Sequence, residues 1–95
     1  MPYVRFSIMN PLPGMESELH AAQKDLLKFF SEQPGFVDGY ILTAQDGSGE
    51  LGRVGIWESE SHADQAANSD HVLAVRSRIN QLVGAGHRER SFHAE

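Results

Sequence analysis

The hydrophobic period of this chain changes several times within 95 residues, and the order of those changes limits the fold more than any other feature. "YVRFSIMN" alternates: Val4, Phe6 and Ile8 fall on one face, Arg5, Ser7 and Met9 on the other, the two-residue period of a strand. "PLPG" stops it, because proline cannot donate to a ladder. From Met15 to Phe30 the apolar residues Met15, Leu19, Ala22, Leu26 and Phe29/Phe30 recur every three or four positions, which predicts an amphipathic helix of about four turns. "QPG" ends it. Strand signals return in "FVDGYILTAQ", "DGSGE" supplies a hairpin turn, and "LGRVGIW" is the return strand. After Trp57, Ser59 or Ser61 caps a helical stretch that "NSD" interrupts, and Ser69 or Asp70 caps a second segment, "HVLAVRSRINQLV". "GAG" then precedes a short polar strand, "HRERSFHA".

The resulting order, β-α-β-β-α-β, predicts an α+β, ferredoxin-like fold: a four-stranded antiparallel sheet with helices on one face, residues 1–95 forming one domain. Two helices cover only one face of such a sheet, yet both faces carry bulk. Val4, Phe6, Ile8, Val54 and Ile56 fall on one; Met9, Phe36, Tyr40, Leu42 and Trp57 are expected on the other. Soluble monomers avoid a large uncovered apolar face, so a homodimer through the sheet faces is expected.

Charge and composition exclude several classes of partner. Thirteen acidic residues against eight basic give a formal charge of −5, which repels nucleic acid and anionic membrane. Cysteine is absent, which rules out disulfides and thiolate chemistry and fits a cytoplasmic location. "MPYVRFSIMNP" lacks the basic and long apolar regions of a signal segment, and no apolar run approaches the ~18 residues of a membrane span.

The chemistry-bearing candidates gather around the only tryptophan, Trp57, which stands where the third strand meets the next helix. Arg5 and Ser7 share a face in the first strand, as do Arg53, Gly55 and Trp57 in the third. Charge on a fully packed face is costly, so this face is expected to border a partly wet cleft beneath the helices. Gly39, Gly52 and Gly55 thin the sheet and are expected to leave room for a ligand. Arg76 lies at the border of the apolar stripe of the last helix, from which a guanidinium reaches into a cavity to hold a phenolate, enolate or carboxylate. His62, five residues past Trp57, is the best placed acid or base; Ser7, Arg5, Arg53, Tyr40 and Phe30 are the expected substrate contacts. For Arg53, Arg76 and His62, solvent-facing positions are the competing expectation. The five histidines show no metal-ligand spacing, so no metal is expected.

The chain order, "PLPGMESELHAA", "QPGFVDGYIL" and "GIWESESHADQAANSDHVLAVRSRI" together resemble the antibiotic biosynthesis monooxygenase family of dimeric α/β barrels, over essentially the whole chain. The haem-degrading members use an asparagine, a tryptophan and an axial histidine where this chain has Ser7, Ala66 and Arg76, so haem degradation is not implied. The cofactor-independent members are more similar: their strand-ending tryptophan matches Trp57 and their last-helix arginine matches Arg76. Their asparagine four residues before the tryptophan is replaced by Arg53, and their tyrosine just after it by His62 or Ala63. The resemblance implies oxidation of a small phenol or quinol by O2, with no cofactor. It leaves open a non-redox isomerase or hydrolase, and a non-catalytic small-molecule-binding dimer, on the same fold.

Overall fold

A computed structural model describes all 95 residues, Met1–Glu95. The elements are β1 (Tyr3–Met9), α1 (Glu16–Ser31), β2 (Phe36–Thr43), β3 (Leu51–Trp57), α2 (Glu60–Ala67), α3 (Asp70–Asn80) and β4 (Arg88–His93). The expected second helix is thus two, broken at Asn68–Ser69, and both starts are capped by serine. The Ser59 hydroxyl accepts from His62 N–H, and that of Ser69 from Val72 N–H. Of the two candidate caps for α2, Ser59 is the one used.

The four strands form one open antiparallel sheet in the order β2-β3-β1-β4, the split βαβ arrangement that the sequence predicts. All three helices lie on one face. Against that face α1 packs Leu19, Ala22, Leu26 and Phe30, and α3 packs Val72, Val75 and Ile79, over Tyr3, Met9, Leu51 and Trp57 of the sheet. Burying side chains of this size contributes ~1.5–3 kcal/mol each, and truncating one such as Leu26 to alanine costs about 2–5 kcal/mol.

One feature of β2 departs from simple alternation. Phe36 pairs with Trp57 and Asp38 with Ile56, so Val37 is an extra residue, a bulge that flips every later side chain to the other face. Gly39 and Ile41 consequently face the helices beside Gly55 and Arg53, while Tyr40 and Leu42 join Val4, Phe6, Ile8, Val54 and Ile56 on the outer face. The expected placement of Tyr40 and Leu42 on the Trp57 face is corrected accordingly. Tyr40 is exposed, and its hydroxyl donates to Asp38 at 2.9 Å.

The glycines do not leave room in the way expected. A Cβ on Gly39 would meet Leu27 at 2.7 Å, and one on Gly52 would meet Ile8 at 2.8 Å, so both positions are filled by the protein's own side chains. A Cβ on Gly55 would meet only the Trp57 side chain, with Nε1 at 3.1 Å. No helix is long and apolar enough to cross a membrane.

Candidate functional site

A cavity of about 310 Å³ lies between the inner face of the sheet and the α2–α3 pair. Its origin is local. The side chains that α2 and the start of α3 turn toward the sheet are small (Ala63, Ala67 and Val72), and the sheet beneath them has Gly55 in register with Gly39 and Arg5. Small residues above and a glycine below cannot close the gap. Trp57, Phe30 and Arg53 wall the interior, and Arg5, Arg76, Glu89 and Ser91 complete it toward the outside.

Trp57 is nearly sealed, with the rings of Phe30 and Phe36 meeting it edge-on at 5.5 and 5.3 Å between centroids. Its Nε1 has no hydrogen-bond partner in the protein and is not sealed from solvent, and Trp57 lines the cavity. Nε1 lies 3.1 Å from where a Cβ on Gly55 would stand, so any larger residue here would press on the indole.

Arg53 is the deepest charge, 9% exposed. Its Nε donates to Gln23 Oε1 at 2.9 Å, and its guanidinium carbon lies 5.0 Å from the centroid of the Phe30 ring. Gln23 is fully buried on α1 and donates in turn to the Met9 sulfur at 3.0 Å. Burial, opposed by Glu89 and reinforced by Arg76 and Arg5, lowers the Arg53 pKa to about 10.

The other two arginines have carboxylate partners. Arg5 donates to Asp64 at 2.9 Å and to the Tyr3 hydroxyl at 2.8 Å. Burial works against its charge, but these two hydrogen bonds prevail and its pKa rises. Arg76, half-exposed on α3, lies 3.6 Å from Glu89 on β4. Glu89 is the one carboxylate on the cavity wall, and His87 Nε2 is also 3.6 Å from it.

Of the residues expected from sequence, Trp57, Arg76, Arg53, Arg5 and Phe30 therefore come together around one cavity. Ser7 does not line it. Its side chain is buried beside Arg53 in the register, with Oγ 3.2 Å from His87 Nε2. Tyr40 is on the opposite face of the sheet for the reason given above. His62 is turned away: its ring lies over Gly35, where any Cβ would overlap it, and its Nδ1 is 2.7 Å from Ser59 Oγ. The expectation that His62 enters the cleft is not met, because capping by Ser59 directs the ring toward the α1–β2 turn. Sequence reading did not single out Glu89, Ser91 or Gln23. No three His, Asp or Glu side chains converge as a metal site would require.

The antibiotic biosynthesis monooxygenase family model matches residues 2–78 of the chain. No curated protein matches the sequence. Among solved structures, Rv0793 from Mycobacterium tuberculosis superposes with a TM-score of 0.90 at 19% identity, over 100% of this chain and 96% of its own. SnoaB from Streptomyces nogalater, described as a cofactor-independent oxygenase, gives 0.83 at 20% identity, over 100% of this chain and 95% of its own. A conserved protein from Methanosarcina mazei gives 0.92 at 15% identity, over 100% of this chain and 94% of its own. These likenesses share the fold, and the family model covers most of the sequence. The chain belongs to the antibiotic biosynthesis monooxygenase family.

Proposed function

We propose that the chain is a cofactor-independent monooxygenase that oxidises a small electron-rich phenol or quinol with O2. The observation that carries this reading is the cavity itself: an indole edge, a phenyl ring and three guanidinium groups surround a space of about 310 Å³ that holds one carboxylate. Such a wall suits an aromatic ring that becomes an anion during the reaction.

In the proposed reaction the phenol hydroxyl gives its proton to Glu89, and Arg76 beside it stabilises the phenolate. The phenolate pushes electron density onto a ring carbon, which reduces O2 and bonds to it. Loss of water from the resulting hydroperoxide leaves a quinone. One oxygen atom ends in the new carbonyl; the other leaves as water with the ring hydrogen and the hydroxyl hydrogen. The substrate supplies all the electrons, and the protein supplies orientation, a dry space and charge. His62 takes no part.

A second copy of the chain is proposed to cover the outer face, where Val4, Phe6, Ile8, Val54 and Ile56 are half-buried and Val37, Tyr40 and Phe92 are exposed. A cytoplasmic location is part of the same reading, supported by the absence of cysteine.

The test is oxygen uptake with a panel of phenols and quinols. Trp57→Phe and Arg76→Ala are expected to lower the rate sharply, and indifference of both variants would reject the assignment. Turnover of a substrate with O2 excluded would point instead to a non-redox enzyme on this fold, and binding without turnover to a sequestering protein.

A further inference from the structure

We propose that Arg53 is the anchor for a carboxylate carried by the substrate, so that the cavity selects aromatic carboxylates over neutral aromatics of the same shape. This deepens the functional reading by naming the substrate class, and the binding it predicts is measurable whether or not turnover occurs.

The argument starts from how the three arginines are partnered. Arg5 has Asp64, and Arg76 has Glu89. Arg53 has no carboxylate oxygen within 4.0 Å, although it is the most buried of the three. Glu89 attracts it only from beyond contact distance, and a buried guanidinium with no anion in contact is expensive. Its only side-chain hydrogen bond is to a neutral amide, which takes Nε.

That bond also sets the geometry. Gln23 fixes Nε from one side, the Phe30 ring lies 5.0 Å from the guanidinium carbon, and Gln23 is itself tied to the Met9 sulfur. What remains is the outer edge formed by Nη1 and Nη2. Neither has a partner in the protein, and no unpaired side-chain nitrogen is sealed from solvent, so this edge opens into the cavity. Two parallel N–H groups on a plane held in advance are the complement of a carboxylate's two oxygens. The apolar remainder of the wall, Phe30, Trp57, Ala63, Ala67 and Val72, receives the ring to which that carboxylate is attached.

The probes are 2-naphthoate and 2-naphthamide, which share a ring system and differ in charge. Binding is read by calorimetry and by the cross-peak of the single indole N–H in a ¹⁵N-labelled protein, since Trp57 is the only tryptophan. The wild-type chain is expected to bind the carboxylate at least about tenfold more tightly than the amide, the usual effect of a charge-assisted pair. Arg53→Met is expected to bind both alike, and Arg53→Lys, which keeps a charge without the fork, to retain only part of the preference. Equal binding of the two probes by the wild-type chain would overturn the proposal without recourse to any variant. An Arg76→Gln protein that loses the preference as completely as Arg53→Met would place the anion at the mouth and overturn it too. Turnover is scored separately with 1-hydroxy-2-naphthoate and 1-naphthol. Failure of both substrates counts against the oxygenase reading alone, whereas failure of the binding preference counts against the anchor alone.

Discussion

Replacing Arg53 by methionine should remove anion selectivity while leaving the fold intact or firmer, a combination that an ordinary structural ion pair would not give. The lowering of its pKa from the ordinary arginine value to about 10 corresponds to roughly 3 kcal/mol of free energy that opposes the charged form in the folded chain. Two losses offset the relief. Gln23 Oε1 would be left without its donor, at about 1–2 kcal/mol. The contact with Phe30 would lose its cationic component, at about 0.5–1 kcal/mol. The balance predicts a variant as stable as the parent, or more stable by about 1 kcal/mol. The sign with pH is also fixed. The folded chain holds this proton less tightly than the unfolded one, so the cost is fully present below about 10 and is relieved only as pH rises from there toward the ordinary arginine pKa. Between pH 6 and 9 the difference between variant and parent should therefore be flat. Urea unfolding at one protein concentration, followed by Trp57 fluorescence, measures it. Destabilisation by more than about 2 kcal/mol, or a difference that changes across that pH range, would refute the reasoning.

Further predictions concern the mouth, the displaced histidine and the outer face. Glu89→Gln is expected to lower oxygen uptake by about 10²–10⁴-fold, the range for loss of a positioned base, and unchanged uptake would remove Glu89 from the mechanism. His62→Ala is expected to lower stability through the contact with Gly35 while leaving turnover per folded molecule unchanged, as judged by oxygen uptake normalised to circular dichroism. Ile56→Lys on the outer face is expected to convert a dimer to monomers in sedimentation analysis, while a wild-type chain that sediments as a monomer would reject the proposed pairing.

The residues that the sequence made legible are those whose position follows from period alone. Arg53, Gly55 and Trp57 occupy alternate positions of a strand with no irregularity, and Arg5 shares their face through an unbroken register, so the sequence alone defines the cavity floor. Phe30 follows equally from the helical stripe of α1. Tyr40 was misplaced because one extra residue at Val37 inverts parity, and nothing in "FVDGYILT" marks the bulge. His62 sits where its spacing put it, but a rotamer is chosen by neighbours, here Ser59 and Gly35, and spacing does not encode it. Glu89 is hidden in the sequence for a different reason. "HRERSFHA" has weak alternation, and its pairing with β1 opposite Ser7 is a contact over more than eighty positions. Gln23 looked like any polar helical residue; its burial is decided by Met9 and Arg53 arriving from two strands.

β4 stands at the border of the sheet, every one of its six residues is exposed, and it is joined along its length to β1 alone. It nevertheless contributes Glu89 and Ser91 to the cavity, and it lies past residue 78, where the family model stops. This stretch of the cavity wall is therefore held in place without any share in the apolar core. Substitutions in this last strand are expected to reshape the outer wall of the cavity while sparing the apolar packing that holds the helices to the sheet.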